Sequence, residues 1–214
     1  MRLFVAVPVT EEIKDALRTA QVHLATLAEG TGVRVRWVEP ENYHLTVAFL
    51  GELTENVVPD LSDACAAIAA GTPAFRVAIA GLSVFPKPRG KMSSEIKTIW
   101  VGLTTGSEAW RELARRAEPW FVPFGAAREG GLVPHITLGR VKSERNASSG
   151  DHAALRAALE RESSAPFGSQ IADRLTLIES KLDPRGATYR EINHWTFGPA
   201  APADTETEEY HGSR

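Results

Sequence analysis

Cysteine is almost absent from this chain of 214 residues, in which Cys65 is the only one. A lone cysteine excludes an internal disulfide framework and suits a reducing compartment. Its apolar surroundings predict a buried thiol rather than a reactive one. The sequence also lacks an apolar run long enough for a membrane helix, and Pro8 interrupts the opening apolar run too early for a signal peptide. These absences predict a cytoplasmic protein with no membrane partner.

An excess of positive charge is missing as well. The chain has 24 Lys and Arg residues against 27 Asp and Glu, a formal net charge of −3. This balance excludes an overall basic field that would hold a long nucleic acid through many phosphates. It is compatible with a nucleic-acid end or a small phosphorylated molecule. The length and the 43% of hydrophobic residues fit one large domain, or two closely joined lobes, with a sizeable core.

Hydrophobic periodicity predicts helices mixed with adjacent pairs of strands. Strands are expected over residues 3–7, 33–38, 75–85, 98–103, 167–180 and 188–197, and helices between residues 10 and 30, 54 and 71, 107 and 120, and 151 and 161. Gly81 marks a break in one strand. This order favours an α+β fold with largely antiparallel sheets. After a single domain over residues 1–198, the aperiodic composition predicts a disordered tail over 199–214.

Two further strands carry the same short pattern of His, apolar, Thr, apolar, at residues 44–47 and again at 135–138. Successive side chains on a strand point to opposite faces. His44 therefore shares a face with Thr46, and His135 shares one with Thr137. The apolar residues of each tract, and Phe49 beyond the first, are expected on the opposite face.

Two such faces across one groove could support acid–base chemistry on a phosphodiester. One neutral imidazole can take a proton from an attacking oxygen, and one imidazolium can give a proton to a leaving oxygen. The Thr hydroxyls can donate to non-bridging phosphate oxygens. A catalytic zinc usually has three protein ligands, whereas the tracts contain no carboxylate and no His lies three or four residues from another. The pattern therefore predicts neither a metal nor another cofactor.

The segments 35–51 and 133–140, which contain the two tracts, resemble the signature segments of the two-histidine (2H) phosphoesterase superfamily. More narrowly, they are similar to the RNA 2′,3′-cyclic phosphodiesterases, also called 2′-5′ RNA ligase-like proteins. Residues 2–7 and 175–182, together with Tyr189, match this family too. The resemblance extends over residues 1–197.

This resemblance implies a bilobal α+β fold with two pseudo-symmetric lobes of antiparallel sheet, helices outside and a catalytic groove between the lobes. It implies metal-independent hydrolysis of a 2′,3′-cyclic phosphate at an RNA end to a 2′-phosphomonoester. His44 would be the proton donor to the 3′ leaving oxygen, and His135 would be the base that activates water. Thr46 and Thr137 would bind the phosphate.

Arg140 matches a basic residue that follows the second motif in some members of the family. Strict alternation along the strand, however, puts Arg140 on the face opposite His135. A bulge or the end of the strand is needed to turn it toward a substrate. Arg140 is therefore a conditional candidate for substrate binding.

Other functions fit the same residues. The reaction in reverse would ligate RNA ends through a 2′-5′ bond, and a small cyclic nucleotide or ADP-ribose cyclic phosphate could be the substrate. A non-catalytic RNA-end binder belongs to a different class, against which the two intact histidines argue. The stretch over residues 87–97 is longer than usual for the family and could alter access to the groove. The expected partner is an RNA with a 2′,3′-cyclic phosphate end, or a small cyclic phosphate, bound by a monomer.

Overall fold

Two antiparallel β-sheets organise the chain in a computed structural model that describes residues 1–86, 95–126, 133–142, 148–183 and 186–199. The strands are β1 (Arg2–Pro8), β2 (Val35–Trp37), β3 (His44–Glu52), β4 (Phe75–Phe85), β5 (Thr98–Thr105), β6 (Ile136–Val141), β7 (Pro166–Ala172), β8 (Arg174–Asp183) and β9 (Gly186–Thr196). The first sheet has the strand order β3-β1-β8-β9, and the second has the order β2-β6-β5-β4-β7. The predicted α+β fold with antiparallel sheets is confirmed.

Four helices each bury one apolar face against these sheets. They are α1 (Glu11–Glu29), α2 (Val58–Ala70), α3 (Ser107–Phe121) and α4 (Ser149–Arg161). In α3 the buried residues recur every three or four positions, from Trp110 through Leu113 and Ala117 to Phe121, which is the spacing of one helical face. A capping box between Ser148 and Asp151 begins α4. All four predicted helices are present.

Two predictions about the strands were wrong. β4 runs through Gly81 without a break, although its pairing with β5 shifts register there. Residues 167–180 read as a single strand, but β7 ends at Ala172 and β8 begins at Arg174. The first belongs to the second sheet, where it pairs with β4, and the second belongs to the first sheet, where it pairs with β1. Both segments are strand-forming, so nothing local marks the change of partner. Asp173 is the residue at which the chain passes between the sheets.

The apolar residues of both tracts lie in the core. Leu45, Ile136 and Leu138 are fully buried, and so is Cys65, as its surroundings predicted. Burying a side chain of this size stabilises the fold by about 1.5–3 kcal/mol, so these residues anchor each tract firmly in its sheet. Residues 87–94 of the stretch over 87–97, residues 184–185 and the predicted tail beyond Pro199 lie outside the described residues. Among the helices of the described residues, none is long and apolar enough to cross a membrane.

Candidate active site

The two tracts face each other across one groove. It encloses about 1040 Å³ of space between atoms, part of it open to solvent. Its walls include all five residues singled out from the sequence: His44 and Thr46 from β3, and His135, Thr137 and Arg140 from β6 and the residue before it. Residues that lie far apart in the sequence therefore meet at one place.

Both imidazoles are held by the same kind of local hydrogen bond. Nδ1 of His44 lies 2.6 Å from the carbonyl oxygen of Asn42, and Nδ1 of His135 lies 2.8 Å from that of Val133, in each case two residues earlier. A carbonyl oxygen can only accept a hydrogen bond, so Nδ1 carries the proton in both rings. A second proton is therefore gained or lost at Nε2.

Thr46 contacts the second ring nitrogen of the histidine in its own tract. Its hydroxyl oxygen lies 2.9 Å from Nε2 of His44. When His44 is neutral, the hydroxyl donates to Nε2; when it is protonated, Nε2–H donates to the hydroxyl oxygen. Thr46 can thus hold the ring in place in either state while the other lone pair or proton of its hydroxyl addresses a ligand in the groove.

Aromatic side chains surround each imidazole. The rings of Phe4 and Tyr189 lie 4.8 and 5.5 Å from that of His44, measured between centroids. On the other side of the groove, Phe85 and Trp100 lie 5.1 and 5.7 Å from His135. These rings fix the imidazoles laterally and limit their contact with water.

This desolvation changes the basicity of the first imidazole. Burial lowers the pKa of His44 to about 4. The hydrogen bond to Asn42 opposes the shift, whereas the electrostatic effects of His135 and Arg140 reinforce it. In the unliganded protein His44 is therefore neutral at pH 7.

A β-bulge turns Arg140 into the groove. In the pairing of β5 with β6, Trp100 lies opposite Thr137 and Ile99 lies opposite Gly139, so Leu138 is an extra residue with no partner of its own. A bulge of this kind shifts the alternation of side chains by one position. Arg140 consequently shares the face of Thr137, which is the redirection that its candidacy required.

A second bulge overturns the prediction made for Phe49. Ala6 lies opposite Thr46 and Val5 lies opposite Ala48, so the extra residue is Val47. Phe49 therefore points to the face of Thr46 instead of the core, lines the groove and is 48% exposed. The bulges follow the Thr of each tract directly, so Phe49 and Arg140 occupy equivalent positions in the two strands.

Comparison with known proteins identifies the family of this chain. The sequence pattern of the LigT-like phosphoesterases matches residues 7–92. The RNA 2′,3′-cyclic phosphodiesterase of Methanothermobacter thermautotrophicus is 30% identical over 192 residues, which cover 90% of this chain and 96% of that protein. The chain belongs to this phosphoesterase family. The predicted membership of the 2H phosphoesterases, and with it the prediction of a phosphoesterase enzyme, is confirmed.

Other relatives of this phosphoesterase agree in sequence and fold. The RNA 2′,3′-cyclic phosphodiesterase of Thermus thermophilus is 31% identical over 208 residues, with 92% of this chain and 90% of that protein covered. Among solved structures, Thermus thermophilus TT0787 superposes with a TM-score of 0.71 at 24% identity, covering 92% of this chain and 98% of that one. E. coli LigT complexed with 3′-AMP superposes with a TM-score of 0.67 at 22% identity, covering 92% and 97%. At these identities the structural matches support the fold.

Sequence reasoning missed the residue that ties the two tracts of this phosphoesterase together. Nε2 of Gln21, on α1, lies 2.7 Å from the carbonyl oxygen of Val38, 2.6 Å from the hydroxyl of Tyr43 and 3.2 Å from the carbonyl oxygen of Leu138. Tyr43 precedes His44, and Leu138 follows Thr137. Glutamine on a helix is too common for its sequence position to reveal this role.

The described residues that line the groove offer imidazoles, hydroxyls, the carboxamide of Asn42 and one guanidinium. None of its lining residues that the structure describes is a carboxylate. Across residues 1–86, 95–126, 133–142, 148–183 and 186–199, no three His, Cys, Asp or Glu side chains gather as metal ligands do. The polar groups that line the groove match a phosphate better than a divalent cation, because hydroxyls and a guanidinium donate hydrogen bonds to phosphate oxygens.

Proposed function

We propose that this phosphoesterase hydrolyses the 2′,3′-cyclic phosphate at an RNA end to a 2′-phosphomonoester. His44 is the proton donor, His135 is the proton acceptor, and Thr46, Thr137 and Arg140 bind the phosphate. The observation that carries this proposal is the pair of imidazoles in one groove, each with Nδ1 fixed on a backbone carbonyl and Nε2 left for proton transfer. The names of the curated relatives point to the same substrate.

The reaction needs one base and one acid on opposite sides of the phosphorus. Nε2 of His135 takes a proton from water as its oxygen forms a bond to phosphorus. The bond between phosphorus and the 3′ oxygen breaks, and that oxygen takes the proton from Nε2 of His44. The products are a 2′-phosphomonoester and a 3′ hydroxyl. His135 and His44 then return to their starting states by proton exchange with solvent.

The positive and hydrogen-bonding groups of the groove can stabilise the negative charge that develops on the non-bridging phosphate oxygens in the transition state. The Thr46 and Thr137 hydroxyls lie on one face with the imidazoles, and the bulge brings Arg140 to that face. A guanidinium can donate two parallel hydrogen bonds to a phosphate. Positioned donors of this kind stabilise the transition state without a metal ion.

The negative charge of a bound cyclic phosphate also favours the protonated form of His44, which the reaction requires. Because the pKa of His44 is about 4 in the unliganded protein, few molecules hold the proton to be donated at pH 7. A phosphodiester anion beside the imidazole favours its protonated form. Substrate binding and protonation of His44 are therefore coupled in this mechanism.

The experiment is product analysis on an oligoribonucleotide that ends in a 2′,3′-cyclic phosphate, incubated in EDTA. The expected product is the 2′-phosphate, separated from the 3′-phosphate by chromatography. His44→Ala and His135→Ala should each reduce turnover by about 10²–10⁴-fold, the contribution of a positioned acid or base. His23→Ala is the matched control, because His23 lies on α1 with an exposed side chain outside the groove.

Three results would count against the mechanism. A 3′-phosphate product would reverse the assignment of donor and acceptor. Near-wild-type turnover in either active-site variant would exclude the two-histidine reaction, and loss of activity in EDTA would indicate a metal. Addition of an RNA with a 5′ hydroxyl to the same assay tests ligation, which would appear as a longer product on a gel.

A further inference from the structure

Asn42 and Val133 occupy equivalent positions in the two tracts, two residues before the histidine. The carbonyl oxygen of each accepts a hydrogen bond from Nδ1 of that histidine. Their side chains differ, because the carboxamide of asparagine donates hydrogen bonds and the side chain of valine does not. The residue at this position can therefore give His44 a second support that it cannot give His135.

The carboxamide of Asn42 reaches a strand that is distant in the sequence. Its Nδ2 donates to the carbonyl oxygen of Ala187, on β9, at 2.8 Å. Strands β3 and β9 are the two edges of the first sheet. Because neighbouring strands are about 4.8 Å apart, the edges of a flat four-stranded sheet would lie about 14 Å apart. Asn42, two residues before the start of β3, thus links the segment that carries His44 directly to the opposite edge of the sheet.

Strand β9 also carries the aromatic ring that covers His44. Tyr189 lies two residues after Ala187, and its ring is edge-on to the imidazole at 5.5 Å and to the ring of Phe4 at 4.9 Å, between centroids. Phe4 itself lies 4.8 Å from the imidazole. The three rings pack together, so the position of β9 determines how well Tyr189 covers the imidazole.

This cover separates His44 from a second space. His44 and Tyr189 line the groove and also a depression beside it, which encloses about 990 Å³ between atoms, part of it open to solvent. A displacement of the Tyr189 ring would admit water to the imidazole from that side. Burial is the main cause of the lowered pKa of His44, so the pKa reports whether the ring is in place.

The hydrogen bond at Nδ1 is needed throughout the proposed reaction. Nδ1–H donates both when the imidazole is neutral and when it is protonated, so the carbonyl oxygen of Asn42 holds the ring before and after Nε2 gives up its proton. A misplacement of about 1 Å can reduce the rate of a reaction by about 100-fold. The position of this carbonyl oxygen therefore affects the rate.

We propose that Asn42 is the positioning residue of the proton donor. Its carbonyl oxygen fixes Nδ1 of His44, and its carboxamide holds β9 in the place where Tyr189 covers the same imidazole. The proposal rests on the proposed function for the role of His44 as the acid. The fixing of the imidazole is a property of the unliganded protein and can be measured without a substrate.

The test is Asn42→Val, which places at this position the residue type that the second tract carries at 133. With adenosine 2′,3′-cyclic phosphate as substrate, kcat should fall by about 10- to 100-fold with little change in KM. In NMR titrations of the unliganded variant, the pKa of His44 should rise from about 4 toward its ordinary value, because water reaches the ring. His44→Gln identifies the signal. The charged neighbours that also affect this pKa, His135 and Arg140, are unchanged.

Thr72→Val is the matched control. The hydroxyl of Thr72 donates to the carbonyl oxygen of Ile68 at 2.7 Å, and Thr72 is buried outside the groove. This variant loses the same kind of hydrogen bond, from a neutral side chain to a backbone carbonyl. It should keep the wild-type kcat and the wild-type pKa of His44. Equal effects in the two variants would assign Asn42 a general role in stability and overturn the proposal.

The remaining outcomes separate the positioning role from the reaction. If cyclic phosphate is opened and Asn42→Val matches the wild-type protein in kcat and in the pKa of His44, the positioning role is wrong and the reaction stands. If no cyclic phosphate is opened while this pKa rises in Asn42→Val alone, the reaction falls and the hold on the imidazole stands. A raised KM with an unchanged kcat would make Asn42 a substrate ligand and overturn the proposal. Asn42→Ala removes the same donor and replaces Asn42→Val if the valine variant does not fold.

Discussion

Placing an oxyanion in the groove should change the charge of His44. In the unliganded protein, burial lowers the pKa of this imidazole to about 4, and the electrostatic effects of His135 and Arg140 add to this lowering. Sulfate is a suitable probe because it resembles a phosphate and does not titrate between pH 4 and 8. Its binding between the two tracts would place negative charge against Nε2, where the second proton binds.

The size of the expected change follows from Coulomb's law. One unit of negative charge about 4 Å from the imidazole stabilises the protonated form by about 4 kcal/mol at an effective dielectric constant of 20. Since one pKa unit corresponds to about 1.4 kcal/mol, the pKa of His44 should rise by about three units. It would then lie close to 7, where a general acid is most effective at neutral pH.

The assay is an NMR titration of imidazole signals between pH 4 and 8, with and without sulfate. His44→Gln identifies the signal, and Arg140→Ala tests whether the oxyanion binds through the guanidinium. A pKa near 6.5 without sulfate would refute the argument from desolvation. A pKa that remains near 4 in the sulfate complex would mean that His44 cannot donate a proton at neutral pH, and the assignment of the acid would be wrong.

Three further predictions concern stability. Between pH 6.5 and 4 His44 is protonated in the unfolded chain but not in the folded protein, because its pKa is lowered by folding. Acidification from pH 7 to pH 4 should therefore lower the free energy of unfolding by about 3 kcal/mol through this residue. Urea unfolding at the two pH values should show a smaller decrease in the free energy of unfolding for His44→Gln than for the wild-type protein. Gln21→Leu removes hydrogen bonds to Val38 and Tyr43 and should lower the free energy of unfolding by about 1–3 kcal/mol. It should also lower kcat, because the side chain that contacts residues beside both tracts is lost. An unchanged kcat would show that Gln21 does not position the tracts. In Gly139→Ala the new Cβ would lie 2.6 Å from Cγ1 of Val35. This overpacking should lower the free energy of unfolding by about 1–3 kcal/mol and lower the melting temperature with it. An unchanged melting temperature would show that β2 can shift to make room for the methyl group.

The amino-acid sequence predicts the secondary structure well and draws attention to the two His–Thr tracts, because both depend on short patterns. The helical spacing of α3 and the tract at residues 44–47 can be recognised within a few residues. The pairing of strands depends on distant partners. For this reason the division of residues 167–180 between two sheets at Asp173 left no local signal.

The side-chain directions beyond each Thr show the same limit. Regular alternation predicts Phe49 on the face opposite Thr46 because it continues through Val47, where the structure has a bulge. For Arg140 the conflict between alternation and family resemblance indicated that a bulge or the end of the strand was required, and the structure has a bulge at Leu138. A sequence does not show which residue of a strand lacks a partner, since the register is set by the neighbouring strand. The contacts of Gln21 were inaccessible for a related reason, because two of its acceptors are backbone carbonyls.

The order in which strands enter the two sheets has a consequence for how such a protein can be divided. The first sheet takes β1, β3, β8 and β9, and the second takes the strands that lie between them in the chain. A single cut anywhere between β2 and β7 therefore divides both sheets, and neither fragment contains a complete lobe. We expect that terminal truncations and chimeras joined at mid-chain will fail to yield one working half. We expect His44 and His135 to reach their positions in the groove in one cooperative folding transition, and to leave them together on unfolding.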